Sequence, residues 1–214
     1  MDTFWIALLL VLCLTLSLVM RPWRQLARPD LWSPLLATLA LLPWLWALPR
    51  LHAMPLQLQL SGAVLVLLSL GWPLAVWVLL GVSVISDWVA PQSLQEQLSE
   101  LFFIGLVPAT LALALGAGLR RWLPHHPFIY ILGRGFLGTV LCLFVARAWQ
   151  TLSQSPGALE STGLPFVAQW LMAWGDAFIT GLATAIGVAF RPQWLATWSD
   201  RLYLRPPTTG PDQP

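Results

Sequence analysis

Between Leu164 and Phe190 the chain offers a single ionisable side chain, Asp176, in an otherwise apolar run broken by no charge pair. At about 1.5 Å per residue such a run is about 40 Å long as a helix, more than the roughly 30 Å of a bilayer's hydrocarbon core. A backbone placed in lipid must satisfy its own hydrogen bonds, so a run of this kind can fold only as a spanning helix. The rest of the sequence repeats the pattern. Apolar stretches fall at Thr3 to Met20, Leu31 to Leu48, Leu56 to Leu70, Trp72 to Ala90, Leu98 to Leu119, Pro127 to Gln150 and Leu164 to Phe190. The expectation is an all-α, polytopic integral membrane protein with about seven transmembrane helices, one domain over 1–205, and a disordered Pro-rich tail over 206–214. Composition agrees. Charged residues make up 9% of the chain and hydrophobic ones 57%, against about 25% and 45–50% in soluble domains.

Charge then orients the helices. The eleven basic residues are all Arg. With the N-terminus outside and seven crossings, Arg21, Arg24, Arg28, Arg120, Arg121, Arg191, Arg201 and Arg205 fall on the inner side, as short cytoplasmic loops require. Arg50 and Arg147 fall at the outer edge and Arg134 within a span. Merging Leu56 to Ala90 into one span would move Arg120 and Arg121 to the other side, so the charges favour seven. The first apolar run is followed by its charges, whereas a signal peptide carries them in front, so it reads as a retained helix. The expected location is the bacterial inner membrane, multi-pass, with the lipid bilayer as main partner. A net charge of +2 without Lys excludes a nucleic-acid-binding surface, and without Lys there is no phosphate loop ending in G-K-[ST]. Cys13 and Cys142 lie in apolar runs as small hydrophobes.

Ionisable groups at membrane depth are the functional candidates. Counted from the inner end at about 1.5 Å per residue, Arg134 lies about 10 Å deep, Asp176 about 21 Å, and Glu100 and Arg147 about 28–30 Å. This depth match pairs Glu100 with Arg147 and leaves Asp176 near the midplane, within reach of Arg134 or Arg147. These four residues are the candidates for a substrate site or structural ion pairs. His52 and Met54 form an outer-loop pair of soft and borderline donors, too few for a metal site alone. His125 and His126 sit at a helix start. No hydrolase or metalloprotease signature occurs, so no catalytic residue and no enzymatic activity is expected.

Several short motifs together resemble the cobalt/nickel-type permease of energy-coupling factor transporters, in its proteobacterial branch. They are Trp174-Gly175-Asp176-Ala177-Phe178-Ile179-Thr180-Gly181, Phe190-Arg191-Pro192-Gln193-Trp194-Leu195-Ala196-Thr197, Asp200-Arg201-Leu202-Tyr203-Leu204, Phe128-Ile129-Tyr130-Ile131, Gly135-Phe136-Leu137-Gly138, Ser61-Gly62-Ala63 and Gly71-Trp72-Pro73-Leu74. The resemblance reaches from about Gln59 to Leu204. It implies a membrane-embedded capture subunit that takes a divalent metal ion from outside as substrate, has no resident cofactor, and works with an energy-coupling membrane subunit and ATPase subunits. The nickel-binding relatives begin Met-His where this chain has Met1-Asp2-Thr3. Gln59, Glu100 and Arg134 stand where His or Asn is usual. A second expectation is therefore a non-transporting membrane scaffold or accessory protein that keeps the fold and has lost the metal site.

Overall fold

The computed structural model describes residues 3–51, 59–124, 126–154, 164–199 and 203, and every regular element among them is helical. His52, Met54, His125 and the tail 206–214 lie outside the described residues. Five stretches are long and apolar enough to cross a bilayer: Pro29–Leu51, Trp72–Val89, Leu94–Trp122, Ile129–Ser153 and Phe166–Phe190. They contain helices α3 (Trp32–Leu51), α5 (Trp72–Val89), α6 (Leu94–Glu100) continuing into α7 (Val107–Trp122), α8 (Gly138–Gln154) and α9 (Leu164–Phe190). Helix α1 (Thr3–Val19) is apolar but shorter, 17 residues, and α2 (Trp23–Leu26) is a single turn after it. Phe4, Leu41, Trp88, Phe178 and Phe190 are each at least 66% exposed. In water this display of large apolar side chains would be an aggregation surface, and in lipid it is the ordinary exterior.

The expected third span, Leu56 to Leu70, is where the structure departs from the seven-helix reading. Among the described residues of that stretch, α4 (Ala63–Leu70) alone is helical, eight residues or about 12 Å. Irregular backbone from Gln59 to Gly62 precedes it. Gly62 is the reason for the break. Its φ of +62° is a left-handed conformation that a residue with a Cβ adopts only at a cost, and a Cβ there would lie 2.7 Å from Leu42 Cδ1. Gly71, also at positive φ, separates α4 from α5.

An eight-residue helix is unstable alone, so its surroundings hold it. Seven of its eight residues are buried. Helix α4 packs against α3, α5, α7 and α9, with α8 lying on the far side against α7 and α9 and α1 resting on α5 and α6. The last carbonyls of α4 are capped from outside the helix. Leu68 and Ser69 accept from Thr197 N–H (3.3 Å) and Ala196 N–H (2.9 Å), and the Thr197 hydroxyl donates to Leu68 again at 2.9 Å. The segment after α9 therefore folds back under this end of the bundle.

Two helices carry wide π-turns. Leu101–Leu106 leads from α6 into α7, and the Val107 N–H donates to the Phe102 carbonyl five residues back. Pro108 explains the widening: it has no N–H, and its ring would clash with the Ile104 carbonyl of a regular turn. A second π-turn, Ile129–Leu137, opens the span that continues as α8, with the Gly138 N–H donating to the Gly133 carbonyl. His126 takes the helix-start role, its Nδ1 accepting from Phe128 N–H at 3.2 Å. Small residues on α9 do intramolecular packing: Ala173 and Ala177 are buried against Val140 and Leu143 of α8.

Candidate functional site

The irregular backbone before α4 sits in a cluster of buried polar groups. Trp46 of α3 donates its indole N–H to the Ser61 carbonyl at 3.0 Å. The Ser61 hydroxyl accepts from Ala63 N–H at 3.2 Å and donates to the Ile104 carbonyl at 2.5 Å. Pro108, four residues further along that helix, has no N–H to offer Ile104, so the π-turn and the broken segment complement one another.

Asp176, on α9, closes the arrangement. One carboxylate oxygen accepts from Ser61 N–H at 2.6 Å and Gly62 N–H at 3.2 Å, and the other from the Thr180 hydroxyl at 3.3 Å. At 5% exposure it is supplied from another element as a negative charge on the two N–H groups just ahead of the N-terminal, positive end of α4. Neither Arg134 nor Arg147 forms a salt bridge with it. Arg147 acts on it as a through-space charge only.

The second carboxylate, Glu100, lies at the end of α6, 8% exposed. Its ion-pair partner is Arg50, not Arg147 as depth counting implies: Arg50 Nη1 is 3.6 Å from Glu100 Oε2. Gln92 donates to the same oxygen at 2.7 Å, and the Gln59 side-chain amide donates to the other. Arg50 also donates to the Ser86 hydroxyl on α5. Arg147 reaches the Gln59 carbonyl at 3.4 Å and the Gln150 side chain at 3.2 Å. Glu100 and Arg147 both reach the Gln59 side chain, but depth counting carries no information on which way each helix face turns. Arg50, at the outer edge by sequence, joins the cluster because its backbone sits at a helix end while its long side chain points back into the bundle.

The cluster thus combines two carboxylates, Asp176 and Glu100, with two guanidiniums, Arg50 and Arg147, and is balanced in charge. Divalent cations of the cobalt or nickel kind take nitrogen, oxygen or sulfur donors without competing cations among them. Among the described residues no group of three or more His, Cys, Asp or Glu stands close enough to hold a metal ion. Arg134 takes no part in this cluster; it lies in the second π-turn, buried, its guanidinium over the Tyr130 ring at 5.3 Å.

No protein-family model, no curated protein and no solved structure matches the chain. Within the chain, several separate short segments meet around α4. Ser61-Gly62-Ala63 leads into α4, Gly71 ends it, Asp176 accepts from the N–H groups at its start while Thr180 donates to that carboxylate, and Ala196-Thr197 caps its end.

Proposed function

We propose that this chain is a membrane-embedded subunit of a transport system, akin to the divalent-metal capture component of energy-coupling factor transporters, and that it works in the bacterial inner membrane with an energy-coupling membrane subunit and ATPases. The observation that supports this reading is the interrupted segment Gln59–Leu70, buried against α3, α7 and α9. Irregular backbone at membrane depth is tolerated only where protein or a cavity covers it, and interrupted helices are where transporters of several folds build their sites. In this reading the segment completes a third crossing, giving seven in all, with the N-terminus outside and the C-terminus inside. The reading assigns no catalytic residue.

One observation favours the second reading, a non-transporting scaffold. Each carboxylate of the cluster is already engaged, and Arg50 and Arg147 occupy the charge balance that a divalent ion would need.

Asp176→Asn separates the two. The amide keeps the shape, removes the charge and cannot accept from both sides equally well. Cobalt and nickel accumulation is measured in cells with and without the protein and its partner ATPases, alongside membrane abundance. Transport through Asp176 expects accumulation above background that the Asn variant abolishes at normal abundance. The scaffold reading expects no accumulation and a lower melting temperature for the variant. Full uptake by Asp176→Asn at normal abundance would sink any functional role for that carboxylate.

A further inference from the structure

We propose that Arg134 forms a site for one compact anion, a halide or a single phosphate oxygen of a membrane lipid, beneath the C-terminal segment. Arg134 is 4% exposed, and its Nε, Nη1 and Nη2 have no hydrogen-bond partner. Among the described residues the one ion pair is Arg50–Glu100, so none of their carboxylates neutralises it. A buried guanidinium without an acceptor is among the costliest arrangements a membrane protein can hold, and stacking over Tyr130 offsets only a part of that cost.

Two cations border a small, mostly apolar space. Beside the guanidinium is a cavity of ≈10 Å³, lined by Arg134, Arg120, Tyr130, Tyr203 and the apolar side chains of Leu119, Leu123 and Ile129. That is about the space of one water: it admits one oxygen, admits a halide only where the apolar lining gives way, and excludes a free phosphate group. Both cations converge on Gly116: Arg120 Nε donates to its carbonyl at 3.3 Å, and a Cβ at that position would lie 2.4 Å from Arg134 Nη2. The missing side chain is what lets the guanidinium lie against α7. Tyr130 is fully buried beneath Trp198 and Tyr203, with ring centroids at 4.8 and 5.3 Å, and its hydroxyl is hydrogen-bonded to Thr197 at 2.7 Å. The C-terminal segment therefore roofs the site while it caps α4. A bound anion would couple the two.

The test uses the full-length chain in detergent, exchanged into sodium gluconate at constant ionic strength, with thermal unfolding followed on adding sodium bromide or phosphatidylglycerol. Arg134→Gln and Gly116→Ala serve as variants. A saturable rise in melting temperature with bromide, absent in Arg134→Gln and weakened in Gly116→Ala, supports the site with a halide as ligand. A rise with phosphatidylglycerol and none with bromide, lost in Arg134→Gln, supports it with the lipid oxygen as ligand. In gluconate without lipid, Arg134→Gln is expected to melt no lower than wild type, because it removes an uncompensated charge. No response to either addition, or an equal response in wild type and Arg134→Gln, overturns the proposal. If Arg134→Gln fails to fold, Gly116→Ala decides, and an undiminished response overturns it.

Discussion

Gly62→Ala puts a number on the interruption before α4. At φ +62° an alanine meets the left-handed penalty of about 1–2 kcal/mol, against which the less flexible unfolded chain returns about 0.4–1 kcal/mol. The new Cβ would sit 2.7 Å from Leu42 Cδ1. Because that atom is the end of a flexible side chain, relief by rotation or a small shift puts the overpacking cost at the low end of the usual range of about 1–3 kcal/mol. The net expectation is a loss of about 2 kcal/mol, or about 4–8 °C in melting temperature for a chain of this length. The assay is thermal unfolding of purified protein in one detergent, with Leu42→Val as a companion change. The double variant Gly62→Ala/Leu42→Val should recover the steric share and keep the backbone share, so it should lie between Gly62→Ala and Leu42→Val. A Gly62→Ala protein that melts within 1 °C of wild type would mean that this residue can adopt a negative φ without loss, and the account of the interrupted segment would fail. Full recovery in the double variant would assign the whole cost to Leu42 and leave the backbone argument empty.

Arg50→Gln and Glu100→Gln should be coupled by about 0.5–3 kcal/mol in a double-variant cycle, while Arg147→Gln with Glu100→Gln should show less, since only Arg50 forms an ion pair with that carboxylate. Coupling larger for Arg147 than for Arg50 would restore the depth-matched pair. A reporter fused after Arg121 should read an inner location if the Gln59–Leu70 segment completes a crossing. An outer location would mean that it turns back within the bilayer.

Much of this architecture could be read directly from the residues, and the reason is lipid. A bilayer demands long apolar runs and internal hydrogen bonding, so spans such as Leu164–Phe190 appear in the sequence with nearly the bounds of the helix. The same uniformity hid the contacts. A helix apolar on every face gives no periodic signal for which side meets its neighbours, so Glu100 and Arg147 could be placed by height but not by direction. The break at Gly62 was hidden for a related reason. Val64 to Leu70 reads as a continuation of the apolar run, and a single glycine in such a run does not declare its φ. Pro108 and Ser61 held a clue only in combination, since the proline deprives the Ile104 carbonyl of its regular donor and the serine supplies another from far away in sequence.

That pairing bears on what Asp176 can be. A carboxylate at mid-depth ordinarily argues for an ion or proton pathway, because nothing else justifies its cost. Here the Ser61 and Gly62 N–H groups just ahead of a short helix, left over when the chain breaks at Gly62, also need an acceptor when buried, and the carboxylate supplies it to both. The carboxylate and the interruption are thus one feature and not two. Any substrate that competed for Asp176 would release Ser61 and Gly62 as well, and would act on the start of α4. The other end of that helix is held by Ala196 and Thr197. Occupancy at Asp176 would then be felt through α4 at the C-terminal segment, a coupling that a carboxylate paired only with an arginine would not provide.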